Sequence, residues 1–176
     1  MKNKRSKNIT IIGGAGFIGH NLAISLKLAG HSVMVIDNLA VNNILSFANQ
    51  NTSNRKLYWS MLNKRIDLLH KNQIELNIED ARNYNAMSML LENYKPEVII
   101  QLAAVSHANK SNKDPHSTFD HTLRTLENTL DIAKSHKSHV VYFSSSMVYG
   151  DFKKDVVTEN NQCHPKGIYG TLKYSG

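Results

Sequence analysis

The stretch that decides the fold is Ile9-Thr10-Ile11-Ile12-Gly13-Gly14-Ala15-Gly16-Phe17-Ile18-Gly19, which continues through an amphipathic run to Val33-Met34-Val35-Ile36-Asp37. A short apolar run, a glycine turn, a helix-period segment and a second apolar run ending in an acid make one βαβ unit of the dinucleotide-binding kind. Glycines let the backbone turn tightly and approach a pyrophosphate, and the helix behind them aims free N–H groups and its positive dipole end at the phosphates. Asp37 follows Gly19 by 18 residues, where a carboxylate can accept both hydroxyls of an adenosine ribose. The glycines fit two spacings at once, Gly14, Gly16, Gly19 or the wider Gly13, Gly16, Gly19. The charge of Asp37 repels a 2′-phosphate, and Asn38 and Leu39 offer no arginine to hold one, so NAD is expected over NADP.

Behind the glycines, Ile18, Leu22, Leu26 and Ala29 repeat at helical spacing and Gly30 is a C-terminal stop. Asn and Ser crowd residues 42–54, which read as a loop, and 57–69 read as an additional helix whose Tyr58 and Trp59 serve packing. Residues 74–78 form a third strand, and Met87, Leu90, Leu91 and Tyr94 a helical stripe closed by Pro96. Residues 97–102 form a fourth strand, apolar enough to be buried on both faces. Phe119, Leu123, Leu126, Leu130 and Ala133 mark a long amphipathic helix, and 139–143 a fifth strand. Strands alternating with helices, without hairpin signals, predict an α/β fold with a doubly wound parallel sheet.

A chain of 176 residues suggests one domain around a single core. The apolar run behind the basic N-terminal residues is too short for a signal peptide, and no stretch approaches a membrane span. The single cysteine, Cys163, rules out an internal disulfide and fits a reducing cytoplasm. A net charge of +7 comes from residues scattered over helices and loops apart from the cluster Lys2, Lys4, Arg5 and Lys7. With no aromatic-interleaved basic stripe, attraction of a small anionic ligand is favoured over nucleic acid. No metal-ligand set is assigned.

The fifth strand runs into Ser144-Ser145-Ser146-Met147-Val148-Tyr149-Gly150, and Tyr169-Gly170-Thr171-Leu172-Lys173 follows. Tyr and Lys four apart share one helix face. A phenol ionises near pH 10, so base strength near neutrality needs its pKa lowered by about three units. An adjacent ammonium does this by favouring the phenolate. A serine at the neighbouring strand end can hydrogen-bond the same substrate oxygen, and open α/β sheets place ligands at these carboxyl ends.

At this point the chain resembles the extended short-chain dehydrogenase/reductases, in particular the NAD-dependent nucleotide-sugar epimerases and dehydratases. The resemblance rests on Gly13-x-x-Gly16-Phe17-Ile18-Gly19, Asp37-Asn38-Leu39, Leu102-Ala103-Ala104, the Ser144–Gly150 run and Tyr169-x-x-x-Lys173. It implies a Rossmann-like NAD domain in which Tyr169 is the acid/base, Lys173 anchors the nicotinamide ribose and tunes Tyr169, and one serine assists. Counting back from Val148-Tyr149-Gly150, the family's catalytic Ser/Thr falls on Ser145, with Ser144 left to the cofactor. The family's adenine-contacting Asp-Ile pair becomes Asn77-Ile78. Gln101 stands where members usually carry His, and Thr122 and Thr125-Leu126 replace an Asn and a Gly-Thr. Ser106-His107 looks like the 4,6-dehydratase branch. That branch, however, places Asp and Glu directly after the catalytic Ser/Thr, where this chain has Ser146 and Met147.

Members of the family continue into a smaller C-terminal domain. Residues 1–176 are therefore expected to be a partial NAD-binding Rossmann-like domain, with the substrate domain absent from this chain and the fifth strand a poorly covered edge. The expected function is NAD-dependent epimerisation of a nucleotide-activated sugar through a keto intermediate. A 4,6-dehydratase or reductase of the same family, or a non-catalytic dinucleotide-binding fragment, are the alternatives. The resemblance further implies a homodimer paired through helices around 116–134 and from 168 onward. Cys163 and His164 read as surface-loop residues.

Overall fold

Strand β1 (Asn8–Ile12) is the axis of the molecule. The computed structural model describes residues 5–41, 43–48, 53–105, 108–152 and 156–176. Strands β2 (Ser32–Ile36), β3 (Glu75–Asn77), β4 (Val98–Gln101) and β5 (His139–Tyr142) join β1 in one sheet of order β3-β2-β1-β4-β5. Every pairing is parallel. The chain walks outward from β1 to β3, then returns to β1's other edge for β4 and β5. This reversal leaves a crevice at the carboxyl ends of β1 and β4, where a doubly wound sheet receives its ligand.

Helices make the crossovers. They are α1 (Phe17–Leu28), α2 (Ile44–Ala48), α3 (Arg55–Lys71), α4 (Tyr84–Tyr94), α5 (Ala108–Lys113), α6 (Pro115–Phe119), α7 (Thr125–His136) and α8 (Gly167–Ser175), with a π-helical turn over Asp120–Arg124 and a 3₁₀ turn over Ser146–Tyr149. Side chains of a strand alternate between faces, and the core divides accordingly. Ile9, Ile11, Val33, Val35 and Ile100 face one way, onto Ala23 and Leu69. Ile12, Met34, Ile36 and Ile99 face the other, onto Met87, Leu91 and Ile132. Burying an aliphatic side chain of this size is worth about 1.5–3 kcal/mol, so the two layers hold both helical faces on the sheet. β5 is an edge, with Val140, Val141 and Tyr142 only half-buried.

Three expectations are modified. The Asn-rich loop contains α2, opened by Asn43, whose backbone N–H donates to the Ser46 hydroxyl; Asn42 and residues 49–52 lie outside the described residues. The aromatic pair on α3 is exposed, Tyr58 by 43% and Trp59 by 39%, and Tyr58 stacks on Phe47 at 5.2 Å. The long helix after β4 is interrupted by the π turn, and its apolar stripe is buried only in part, at Leu126 and Ala133. Phe119 and Leu130 are both 48% exposed, whereas Thr118, Thr122, Thr125 and Thr129 are buried. The reason lies in β4, whose last residue, Gln101, is fully buried and needs polar neighbours. Its Nε2 donates to the Ala103 carbonyl and Thr125, and its Oε1 accepts from Thr129.

Candidate active site

The glycine turn is built from both sides. Gly13 has φ +79°, and a Cβ there would lie 2.7 Å from the Ala103 nitrogen. A Cβ on Gly14 would meet Val35 at 2.8 Å, and one on Gly19 would meet the Gly14 Cα at 2.5 Å. Packing therefore requires these three. Gly16 differs: a Cβ there would meet only the Gly13 carbonyl, at 3.3 Å. Gly13, Gly16 and Gly19 line the cleft while Gly14 turns in against β2, so the wider spacing is the one presented to a ligand. Gly16 also caps α1 without a side chain, and the first turn of α1 carries no acid. Its leading N–H groups are left for an anion.

Asp37 ties this turn to the end of β2. Its Oδ2 accepts the Ala15 N–H at 3.0 Å and its Oδ1 the Leu39 N–H at 2.8 Å. Burial pushes its carboxyl above the usual range, against the lowering effect of those two donors. Asn43, fully buried, holds the other side of the turn by donating to the Ala15 carbonyl at 3.1 Å. Nothing in the glycine spacing singled it out.

A cleft of about 400 Å³ runs from this turn across the sheet ends. Of the sequence-derived residues, Gly13, Gly16, Phe17, Ile18, Gly19, Asp37, Asn38, Leu102, Ala103, Ala104, Ser144, Tyr169 and Lys173 line it. Asn77, Ile78 and Ser145 are not on its wall. Asn77 donates to Glu75 at 2.9 Å, Ile78 is 67% exposed, and Ser145 caps the 3₁₀ turn by accepting the Met147 N–H at 3.3 Å. Beyond β3 the wall is made instead by Glu79, Asp80 and Ala81, and across the cleft by Arg65, His121, Thr125 and Phe143. Ser106 and His107 lie outside the described residues.

At the β5 end, Lys173 is 4% exposed, and its Nζ donates to the Phe143 carbonyl at 2.7 Å and sits 4.7 Å from the centroid of the Tyr142 ring. Burial pulls its pKa down to about 8. Ser144 donates to the Lys173 carbonyl at 3.0 Å, joining strand end and helix. Gly170, next to Tyr169, lets α8 approach the 3₁₀ turn; a Cβ there would lie 2.8 Å from the Met147 carbonyl. Tyr169 and Lys173, one helical turn apart, thus reach the same cavity as the glycine turn.

The opposite rim is held by ion pairs that the sequence reading missed. Arg82 bridges Asp80 at 2.7 Å and Asp120 of the π turn at 2.6 Å, and Asn38 donates to Asp80 at 3.2 Å. The Arg82 guanidinium holds the Asp80 carboxyl down at about 2. The π turn presents His121 to the cleft, and the start of α7 presents Thr125, a use common to such turns at functional sites. Among the described residues, no group of three or more His, Cys, Asp or Glu side chains could hold a metal ion, and no helix is long and apolar enough to cross a membrane.

Comparison with known proteins agrees with this geometry. Residues 9–176 match the family model described as the NAD dependent epimerase/dehydratase family. The chain is 30% identical over 169 residues to protein CapI of Staphylococcus aureus, covering 95% of this chain and 46% of that protein. It is 25% identical to UDP-glucose 4-epimerase of Dictyostelium discoideum, covering 94% and 44%. Among solved structures, the fold matches UDP-glucose-4-epimerase from Stenotrophomonas maltophila, solved with bound NAD and formylated UDP-arabinopyranose, at a TM-score of 0.77, 24% identity and coverage of 96% and 46%. The Brucella ovis UDP-glucose 4-epimerase in complex with NAD superposes at 0.74, with 22% identity and coverage of 97% and 45%. The chain spans about half the length of these relatives. A Rossmann-like sheet, a glycine turn open at Gly16 and a Tyr-x-x-x-Lys helix on one cleft accord with the match over nearly all of the sequence: the chain belongs to the NAD-dependent epimerase/dehydratase family.

Proposed function

We propose that this protein epimerises a nucleotide-activated sugar, with NAD as a resident cofactor and a keto sugar as intermediate. One observation carries the reading: a single cleft joins the glycine turn, the Leu102–Ala104 segment, Tyr169 and Lys173. The open face of Gly16 and the uncapped start of α1 fit a diphosphate. Asp37 fits the adenosine ribose, and Lys173 with Tyr169 the nicotinamide ribose. NAD, when bound, supplies reversible two-electron oxidation of a sugar carbinol. Tyr169 takes the hydroxyl proton as the carbinol becomes a ketone and returns it on reduction. Lys173 brings its ammonium to the same end of the cleft, and a serine of the Ser144–Ser145 pair hydrogen-bonds the reacting oxygen. Reduction of the ketone from its other face inverts the carbon.

Elimination of water needs an acid beside that serine, and Ser146 and Met147 supply none, so epimerisation is favoured over the dehydratase alternative. The relatives point to uridine-diphosphate sugars as the first substrates to test. A homodimer and a reducing cytoplasm complete the reading; a monodisperse monomer in light scattering would count against the dimer.

The test is incubation with UDP-sugars, followed by NMR of the sugar and absorbance of reduced cofactor. An epimer formed without net NADH release supports the reading. Steady NADH accumulation would make the protein a dehydrogenase, a keto-deoxysugar product a dehydratase, and NAD⁺ binding without turnover a binding module.

A further inference from the structure

We propose that Arg65 is a phosphate-binding residue, a guanidinium that α3 brings over the cofactor's diphosphate beside the start of α1. The proposal rests on the NAD reading above and adds to it a contact from outside the glycine turn. Arg65 stands 28 residues after Asp37, beyond the reach of a local motif.

Three observations converge on it. First, Arg65 is partly buried and lines the same cleft as Gly16, Asp37 and Asn38. Its neighbours on α3, Leu62, Ile66 and Leu69, pack inward, so the helix is pinned and the guanidinium is held at the cleft. Second, among the described residues no carboxylate pairs with it. The acids of that rim are otherwise engaged: Asp37 by the Ala15 and Leu39 N–H groups, Asp80 by Arg82 and Asn38, and Glu79 by the Asp80 N–H. A partly desolvated cation without a counter-ion is costly, and burial pulls its pKa down. An anionic ligand would remove that cost. Third, the guanidinium carbon lies 5.8 Å from the centroid of the Phe17 ring. Phe17 is the first residue of α1 and is 70% exposed, so the ring is no core residue. It serves as a platform that parks the guanidinium at the helix end where the free N–H groups point. A planar fork of donors matches two phosphate oxygens at once.

The test is binding rather than turnover. Wild type, Arg65→Met and Arg65→Lys are titrated calorimetrically with NAD⁺, NADP⁺ and ADP-ribose, and adenosine binding is followed by saturation-transfer NMR. Loss of one charge-assisted contact predicts that Arg65→Met weakens NAD⁺ and ADP-ribose about 10-fold and leaves adenosine within about twofold. Its salt dependence should flatten as well. Arg65→Lys should fall between, because it keeps the charge and loses the fork. Adenosine weakened as much as ADP-ribose, ADP-ribose unchanged, or a loss confined to NADP⁺ would each overturn the proposal, the last by assigning the arginine to a 2′-phosphate. Wild type that binds none of the four ligands sinks the dinucleotide reading itself, an outcome visible before any variant is made.

Discussion

Gly14 and Gly16 stand two apart in one turn and are glycines for different reasons. Gly14 is wedged between the Ile11 carbonyl and Val35, whereas Gly16 meets no side chain. Gly14→Ala should therefore destabilise the fold by about 1–3 kcal/mol, the usual cost of overpacking. Gly16→Ala should melt like wild type and yet weaken NAD⁺ binding about 10-fold or more, since its methyl group would stand where the diphosphate approaches. Thermal melts and NAD⁺ titrations of the two variants separate these effects; equal destabilisation by both would refute the distinction. Lys173 makes a second prediction at this scale. Its pKa falls from 10.5 to about 8 on folding, so between those values the unfolded chain binds more protons and stability rises with pH. Below about pH 8 the cost of the buried ammonium is fully present. Lys173→Met keeps the stem and removes the charge. Its stability minus that of wild type should fall by up to about 3 kcal/mol between pH 7 and pH 10.5, read from urea midpoints. A difference that stays flat would mean the ammonium is not desolvated.

The helix after β4 shows how far elements could be read from the chain. Its existence was plain, and Leu126 and Ala133 of its apolar stripe are buried, but beside them a hydroxylated stripe of Thr118, Thr122, Thr125 and Thr129 is buried too. Residue hydrophobicity selects Phe119 and Leu130 instead, because it cannot know that Gln101 will be buried opposite and need partners. β1, β2 and β4 were legible because parallel strands buried on both faces are largely apolar. The glycine turn was legible because sterics fix its spacing. Asp80 and Arg65 were not, because crossovers bring them to the cleft from separate elements and no local period marks them. Thr129→Val should leave the Gln101 Oε1 unpaired and cost about 1–3 kcal/mol. Adding Gln101→Leu removes the orphaned group, so the double variant should be more stable than the sum of the single losses predicts. Strict additivity in urea unfolding would dismiss the network. Arg82→Met belongs to the same scale. Its partners are about one-third exposed, so screening limits the loss to about 1 kcal/mol. Because the Asp80 pKa is depressed from 3.8 to about 2, that contribution is present above pH 4 and vanishes as the pH falls through 2.

The molecule as a whole is two half-sheets joined along β1 and β4, and the cleft straddles the join. The glycine turn, Asp37 and Arg65 belong to the β1–β3 half; Ser144, Tyr169 and Lys173 belong to the β4–β5 half. A ligand long enough to touch both must couple them, and a shorter one must not. NAD⁺ and ADP share the adenosine diphosphate and differ by the nicotinamide riboside, and so form such a pair. NAD⁺ at 100 times its Kd should stabilise the fold by about 2.7 kcal/mol, raising Tm by about 5–10 °C for a chain of this size. In hydrogen exchange, NAD⁺ should protect amides of residues 13–19 and of α8 together. ADP should protect residues 13–19 and leave α8 exchanging nearly as in the free protein, because it lacks the ribose assigned to Tyr169 and Lys173. The net charge of +7 favours both anionic ligands at low salt, but the contrast on α8 depends on ligand length and should persist at every ionic strength. Equal protection of α8 by the two ligands would mean that the halves are already rigidly coupled through β1 and β4. Absence of protection there even with NAD⁺ would remove Tyr169 and Lys173 from the cofactor site.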